Sequence, residues 1–256
     1  MRGFGRVLVA FSGGVDSAYL AYIAGRELGI DAICVTGLSP SVSEAQRREA
    51  AEIAKRLDLD HRLVETAELS DPNYTANPSN RCYFCKTELY TKLSAIAAAE
   101  SIPIVVDGTN ADDAGEHRPG MAAAGQFWVR SPLKEVGLTK SEIRELSLAA
   151  GLSGWDKPSS PCLSSRIAYG VPVTIERLSK IERGEEILRR MGFREFRVRV
   201  HNDLARIEIS PEELARALDT EFASVVAERF SGLGFTYVTL DLKGFRSGAM
   251  NEGPGT

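Results

Sequence analysis

The chain has 256 residues, of which 43% are hydrophobic and 26% charged, and a formal net charge of −4. This composition is typical of a globular protein with one large domain or two smaller ones. The net negative charge predicts no general attraction to nucleic acid or to anionic membranes. No apolar run approaches the length of a membrane span. Without an export signal we expect a cytoplasmic protein with reduced cysteines.

Strands and helices alternate over the first part of the chain. Apolar runs predict strands at 6–11, 31–38, 61–66 and 102–110. Helical periodicity predicts helices at 18–28, 43–58 and 86–100. The second of these helices has a capping-box start, Ser43 to Gln46. The alternation predicts an α/β fold with a doubly wound, mostly parallel sheet that binds ligands at the carboxyl ends of its strands.

The composition changes near residue 152, where the chain becomes rich in Gly, Ser and Pro, as expected of a domain connection. Beyond this segment we predict a charged helix at 174–191, strands at 196–201, 205–210 and 235–242, and helices from Pro211 onwards. We therefore expect two domains, residues 1–155 and residues 156–256. The second would be a smaller α/β domain.

The segment SGGVDS (12–17) lies between the first predicted strand and the first helix. Its glycines allow backbone N–H groups to converge on an anion, and the helix N-terminus adds partial positive charge. The segment matches neither the Walker A pattern nor the dinucleotide fingerprint. An ordinary tight turn containing glycines is the alternative.

A second polar stretch, DGTNADD (107–113), follows the strand predicted at 102–110. It falls where this architecture binds ligands, so Thr109 and Asn110 are candidate nucleotide-binding residues. Carboxylates at Asp107, Asp112 and Asp113 could hold Mg²⁺ near phosphates. A polar loop with an Asx turn is the alternative.

The four cysteines differ in their surroundings. Cys34 lies in an apolar run and reads as a core residue. Cys82 and Cys85 form a C-x-x-C pair, which is ambiguous among zinc, redox and cluster chemistry. With Cys162, in the polar segment PSSPCLSSR, they make three thiols without a fourth partner, a set that suits a [4Fe-4S] cluster with one open iron. Three reduced cysteines without a joint role are the alternative.

The SGGVDS string resembles the phosphate loop of the PP-loop ATP pyrophosphatases, an α/β family with a HUP-like fold. Several further motifs occur in order along the chain: NRCYFCK, DGTNADD with EHRPG, KPSSPCLSSRI, FRVRVH and GFRSGAMNE. Together they resemble the LarE family of sulfur transferases, which acts in nickel-pincer cofactor synthesis for lactate racemase. The resemblance extends over essentially the whole chain.

This resemblance implies an enzyme that uses ATP to adenylate a carboxylate of pyridinium-3,5-dicarboxylate mononucleotide and converts it to a thiocarboxylate. It implies a homo-oligomer and a separate sulfide donor. The residues expected to hold the departing pyrophosphate are Ser12, Gly13, Gly14, Asp16 and Ser17. Mg²⁺ would be bound by Asp16 and Asp112, and Cys162 would deliver the sulfur.

In single-cysteine members of the family the protein's own cysteine gives up its sulfur and becomes dehydroalanine. This chain departs from them because it also carries Cys82 and Cys85. The resemblance is to the branch in which three cysteines hold a [4Fe-4S] cluster. It implies that Cys82, Cys85 and Cys162 bind the cluster and that sulfur transfer is catalytic.

An anionic mononucleotide needs cations for its phosphate and carboxylate. Arg197 and Arg199 alternate in FRVRVH and should project from one face of a strand. With Ser165 and Arg166 they are the candidate substrate-binding residues, and Arg246 is a weaker one. A solvated basic strand face is the alternative. The histidines at positions 61, 117 and 201 show no metal-ligand spacing.

Three other functions remain open on sequence alone. A PP-loop iron–sulfur tRNA thiolase is the nearest, since residues 177–199 carry a run of basic side chains that could bind RNA. A non-catalytic nucleotide-binding or iron–sulfur scaffold protein would bind ATP without releasing pyrophosphate. An amide-forming ligase similar to NAD synthetase would leave the three polar-site cysteines idle.

Overall fold

The computed structural model describes residues 1–115, 119–158 and 160–246. His117, Ser159 and the final motif from residue 247 onwards lie outside the described residues. The chain forms two compact units. The first comprises Met1–Tyr74 with Ser79–Ser160, and the second comprises Thr75–Pro78 with the chain from Pro161.

The first unit contains a four-stranded parallel sheet, which confirms the predicted α/β fold. Its strands are β1 (Val7–Ala10), β2 (Ala32–Leu38), β3 (Asp60–Glu65) and β4 (Ile104–Asp107). The strand order is β3-β2-β1-β4, so the chain leaves β1 towards β2 first and returns later to place β4 on its other side. The carboxyl ends of β1 and β4 therefore form the crevice in which open α/β sheets bind ligands.

Helices cover both faces of this sheet. They are α1 (Val15–Leu28), α2 (Glu44–Arg56), α4 (Arg81–Ala99), α5 (Pro119–Gln126), α6 (Pro132–Glu135) and α7 (Lys140–Ala149). The short helix α3 (Pro72–Thr75) ends at the first residue of the segment that belongs to the second unit. One apolar core joins β1 to α1, α2 and α7, and a second joins the sheet to α4 and α5. None of the helices that the structure describes has both the length and the apolar character needed to cross a membrane.

Local signals predicted the boundaries of some helices better than those of others. The capping box of Ser43 and Gln46 starts α2 as expected. Helix α4 begins at Arg81, earlier than predicted, and therefore includes Cys82 and Cys85 in its first turns. The helices α5, α6 and α7 were not predicted: α5 and α6 are short, whereas α7 begins with a capping box at Thr139.

The second unit contains the elements expected beyond the Gly/Ser/Pro-rich segment. They are α8 (Ile175–Arg190), β5 (Phe196–His201), β6 (Leu204–Ile209), α9 (Leu214–Ala217), α10 (Thr220–Ser231) and β7 (Tyr237–Leu240). The strands form a sheet of order β5-β6-β7, in which β5 and β6 are antiparallel and β6 and β7 parallel.

A short segment from early in the chain completes the second unit. The Asn77 side chain is fully buried, and its amide donates to the carbonyl oxygens of Ile167, Ala168 and Val171 at 3.3, 2.8 and 2.9 Å. Asn77 has a φ of +55°, in the left-handed region that asparagine tolerates better than most residues. Residues 75–78 thus satisfy backbone groups that the second unit would otherwise leave buried without partners.

Candidate active site

The phosphate loop joins β1 to α1 in a tight turn. Gly13 adopts a φ of +74°, and Gly14 is the N-cap of α1. The hydroxyls of Ser12 and Ser17 lie 3.0 Å apart, and the backbone N–H of Gly14 donates to the Ser12 hydroxyl over 3.3 Å. The loop is therefore preorganised at a helix N-terminus, an arrangement that binds anions.

Asp16 occupies the first turn of α1 and is paired with Lys140, which lies outside the predicted motifs. The Lys140 ammonium donates to Asp16 Oδ2 at 2.6 Å. The other carboxylate oxygen of Asp16 is buried and has no hydrogen-bond partner in the described part of the chain. The backbone N–H of Lys140 donates to Asp112 Oδ2 at 2.8 Å. Lys140 thus links the two predicted magnesium ligands, and the Thr139 capping box that starts α7 was the available signal.

Asp107, the last residue of β4, is 3% exposed and is surrounded by donors. It accepts from the hydroxyls of Tyr90, Ser131 and Thr109 at 2.7, 2.8 and 3.0 Å and from the Thr109 backbone N–H at 3.2 Å. Burial alone would raise the pKa of Asp107, but the nearby Lys86 ammonium and these hydrogen bonds outweigh it and lower that pKa. Because protein donors already occupy its oxygens, Asp107 has a structural role in the loop and is not a candidate Mg²⁺ ligand.

The loop after β4 is closed on itself by an Asx-type network. Asn110 Oδ1 accepts from the backbone N–H groups of Asp112 and Asp113 at 3.0 and 3.3 Å. Asp113 Oδ2 accepts in turn from the Asn110 N–H at 3.0 Å. Asn110 and Asp113 therefore have structural roles here, and nucleotide binding by Thr109 and Asn110 stays a prediction.

The two predicted loops meet at the carboxyl ends of β1 and β4. A Cβ atom added to Gly108 would lie only 2.8 Å from the backbone nitrogen of Ser17. Only a glycine allows the chain after β4 to approach the first turn of α1 this closely. The structure thus brings SGGVDS and DGTNADD together on one side of the sheet, as strand order alone requires.

The cysteines differ as predicted in burial. Cys34 is fully buried in β2, and this burial, with a smaller effect of Asp60, raises the pKa of its thiol to about 12, so it is chemically inert. Cys82 is exposed and Cys85 half-buried, one helical turn apart at the start of α4. They belong to the first unit, whereas Cys162 belongs to the second. Across the described residues, no three His, Cys, Asp or Glu side chains are grouped closely enough to hold a metal ion.

Cys162 is half-buried and is the N-cap of a single 3-10 turn, Leu163–Arg166. Arg166 is buried beneath this turn and donates to the carbonyl oxygens of Pro161 and Cys162 at 2.5 and 3.0 Å. Its Nε donates to Glu185 of α8 at 3.0 Å. The Arg166 guanidinium thus fixes the turn that carries Cys162. Direct contact of Arg166 with a substrate stays a prediction.

The arginines of β5 lie beside this turn in the second unit. Arg199 is 5% exposed, is paired with Glu208 at 2.8 Å and donates to the Ser165 carbonyl at 3.1 Å. Arg199 is therefore not part of a basic strand face exposed to solvent. Arg197 is half-buried, with its guanidinium 4.7 Å from the centre of the Phe245 ring. Burial and the charges of Arg166 and Arg199 lower the pKa of Arg197 to about 10.

These contacts bring the predicted substrate-binding residues of the second unit close together. An isolated parallel bridge pairs Ile167 with Val200 and holds the end of the cysteine turn against β5. The hydroxyl of Ser165 donates to the Cys162 carbonyl at 2.7 Å. Arg246, the weaker candidate, lies 3.7 Å from Asp241 and donates to the Gly244 carbonyl. In the second unit the cysteine turn therefore lies against Arg166 and Arg199, each paired with a glutamate, and substrate binding by these arginines stays a prediction.

Comparison with known proteins finds relatives that match this chain nearly end to end. An uncharacterized protein of Synechocystis sp. is 45% identical over 247 residues, which cover 96% of this chain and 92% of that protein. An uncharacterized protein of Methanocaldococcus jannaschii is 29% identical over 242 residues, which cover 94% of this chain and 91% of that protein. No protein-family model matches the chain.

A third relative has an assigned activity. The pyridinium-3,5-bisthiocarboxylic acid mononucleotide synthase of Lactiplantibacillus plantarum is 36% identical over 253 residues. The match covers 98% of this chain and 91% of the synthase, so it includes both units and every predicted motif region. The chain belongs to the LarE family of PP-loop, ATP-dependent sulfur transferases.

Proposed function

We propose that this chain converts a carboxylate of pyridinium-3,5-dicarboxylate mononucleotide to a thiocarboxylate, at the expense of ATP. The observation that carries the proposal is the near end-to-end match to the Lactiplantibacillus plantarum synthase. The thiocarboxylate product of this chain would serve nickel-pincer cofactor synthesis for lactate racemase. We further propose a cytoplasmic homo-oligomer supplied by a separate sulfide donor, as the resemblance implies.

The first step activates the carboxylate. A carboxylate oxygen of the substrate attacks the α-phosphorus of ATP, the bond to the bridging oxygen breaks, and pyrophosphate leaves. In this proposal the phosphate loop would bind the leaving group through the N-terminus of α1, the backbone of Gly13 and Gly14, and the hydroxyls of Ser12 and Ser17.

The carboxylates beside the same loop have the chemistry of a magnesium site. The buried, unpartnered oxygen of Asp16 and the carboxylate of Asp112 are the oxygen donors that would hold it. When bound, the ion would neutralise charge on the departing pyrophosphate. Lys140 already joins these two residues and holds a positive charge at Asp16.

The second step exchanges oxygen for sulfur. A sulfur nucleophile attacks the acyl carbon, a C–S bond forms, and the C–O bond to AMP breaks, so that AMP carries away the displaced oxygen. Arg166 fixes the turn that presents Cys162, and Arg197 offers a cation for the anionic substrate. Adenylation is needed because a free carboxylate has no adequate leaving group.

We propose that Cys82, Cys85 and Cys162 hold a [4Fe-4S] cluster. The donor set supports this, since Cys82 and Cys85 present thiols one helical turn apart at an accessible helix start and Cys162 is half-buried in a polar turn. When bound, the cluster would supply a sulfide sulfur for transfer. The cysteines would then survive each turnover, unlike the cysteine of a sacrificial enzyme.

One experiment tests both parts of the proposal. The protein is purified without oxygen, its iron and absorption spectrum are recorded, and ATP, Mg²⁺, sulfide and the dicarboxylate mononucleotide are supplied. We expect more than one thiocarboxylate per chain by mass spectrometry, and loss of iron in Cys82→Ser but not in the control Cys34→Ala. Dehydroalanine at position 162 with no bound iron would overturn catalytic transfer, and pyrophosphate release that requires tRNA would overturn the substrate.

A further inference from the structure

Lys86 is a charged group in the crevice of the first unit that the reaction scheme above does not use. It lies one helical turn beyond Cys82 on α4, whose N-terminal end faces the carboxyl ends of the strands. Helix α4 packs on the face of the sheet opposite to α1. Lys86 and the phosphate loop therefore stand on opposite walls of the crevice at β1 and β4.

The Lys86 ammonium is held rigidly. Its Nζ donates to the Tyr90 hydroxyl at 2.8 Å and lies 3.5 Å from Asp107 Oδ2. Tyr90 and Asp107 are themselves 0% and 3% exposed, so neither can move far. The Tyr90 hydroxyl and the Asp107 carboxylate therefore fix the position of the Lys86 ammonium.

Within the described residues, one donor of this ammonium is left for a ligand. A lysine carries three N–H donors, and the structure engages Lys86 Nζ with Tyr90 and, more distantly, with Asp107. The side chain keeps 38% of its surface exposed. A fixed cation with a spare donor is a preorganised anion-binding group, because little side-chain entropy is lost when the anion binds.

The same buried carboxylate connects Lys86 to the phosphate loop. Asp107 holds the hydroxyl of Thr109 at 3.0 Å, and the intervening Gly108 packs directly on the backbone of Ser17. Lys86 and the loop are thus parts of one rigid frame. A ligand seated in the loop would meet Lys86 in a defined position.

We propose that Lys86 binds the α-phosphoryl group of ATP, with Tyr90 and Asp107 as its positioning residues. This inference rests on the proposed use of ATP at SGGVDS. The loop and the N-terminus of α1 provide donors for the β- and γ-phosphates on one wall. The α-phosphoryl group is next along the nucleotide towards the other wall, where charge also develops during adenylation.

The test compares three ligands, ATP, AMP and pyrophosphate, each with Mg²⁺, by calorimetry on the full chain. A charge-assisted hydrogen bond of this kind corresponds to a roughly 10- to 100-fold change in affinity. We expect Lys86→Met to weaken ATP and AMP by about that factor while pyrophosphate changes less than about twofold. Lys92→Met, on the same helix with its ammonium 3.9 Å from Glu88, is the matched control and should bind all three as before.

Two more variants separate binding from support of the fold. Lys86→Arg should recover part of the AMP affinity, and Tyr90→Phe should weaken ATP and AMP in the same direction but less than Lys86→Met. Equal losses for pyrophosphate and AMP, or unchanged AMP affinity, would overturn the assignment. Thiocarboxylate formation by the unmodified protein reports separately on the proposed function, so failure of one is distinguishable from failure of the other.

Discussion

Gly13 has a φ of +74°, and a Cβ atom added there would lie 2.8 Å from the Cα atom of Ala50 in α2. The neighbouring Gly14 has a φ of −71°, and its added Cβ would meet only the Ser12 hydroxyl, at 3.4 Å. The two adjacent glycines therefore differ in what they require. Gly13 needs both the left-handed conformation and the space against α2, whereas Gly14 needs neither.

This difference predicts a contrast between two substitutions. Gly13→Ala should weaken ATP binding at least tenfold, because a left-handed alanine costs about 1–2 kcal/mol and the methyl group also collides with the α2 backbone. Gly14→Ala should retain ATP affinity within a few-fold. Titration of both variants with ATP and Mg²⁺ checks this, and equal affinities would show that the loop does not depend on the close approach to Ala50.

At the scale of elements, the second unit fixes its cysteine turn through α8. The Arg166 and Glu185 side chains are only 3% and 9% exposed where they pair. Glu185 also accepts from the backbone N–H of Val198 at 3.3 Å, so one carboxylate joins the turn, α8 and β5. The next residue, Glu186, is paired at the surface with Arg189 and Arg190 of its own helix.

Removal of these two glutamates should have very different effects. Glu185→Ala should lower the free energy of unfolding by about 3–5 kcal/mol, because it leaves the Arg166 charge buried without its partner. Glu186→Ala should cost about 0–1 kcal/mol, as surface ion pairs do. Urea unfolding of both variants measures the difference. Similar losses would mean that the buried pair does not support the cysteine turn.

At the scale of the whole molecule, each unit holds a half-buried histidine whose pKa is lowered. Burial lowers the pKa of His61 in β3, whose Nε2 lies 2.9 Å from the Thr36 hydroxyl. Burial, together with Arg206 and Arg199, lowers the pKa of His201 in β5. An unfolded histidine titrates near about 6.5. Below that value the unfolded chain binds more protons than the folded one.

The stability of the protein should therefore fall on mild acidification. The contribution of the two histidines to the free energy of unfolding is fully present above about pH 6.5. It is lost as the pH falls towards the lowered pKa values of the folded protein. We expect urea midpoints to decrease between about pH 7.5 and 5.5, and His61→Gln to flatten part of that slope. The pKa of Asp107 is also lowered, but protonation of this residue would reduce the stability of the protein only below about pH 4. A slope unchanged by His61→Gln would contradict the assignment.

Signals confined to a few neighbouring residues were readable from the sequence. The capping box at Ser43 and the strand FRVRVH (196–201) occur as predicted, because such patterns depend on contacts within one turn or one strand. The same holds for the phosphate loop, whose glycines and helix start are adjacent in the chain. The start of α4 and the short helices α5 and α6 were not readable, because tertiary packing outweighs weak local propensity at helix ends and in short helices. Helix α7 was readable from its Thr139 capping box but was not predicted.

The sequence by itself determined the order of the motifs, the alternation that yields a parallel sheet, and membership of the LarE family, since all three are properties of the linear chain. Only the tertiary structure decided which partners the charged groups take. Lys140 meets Asp16, Asp107 collects donors from three separate segments, and Asn77 completes the unit formed by the later part of the chain. The physical reason is that burial makes pairing obligatory, while the choice of partner depends on chain segments that are far apart in sequence.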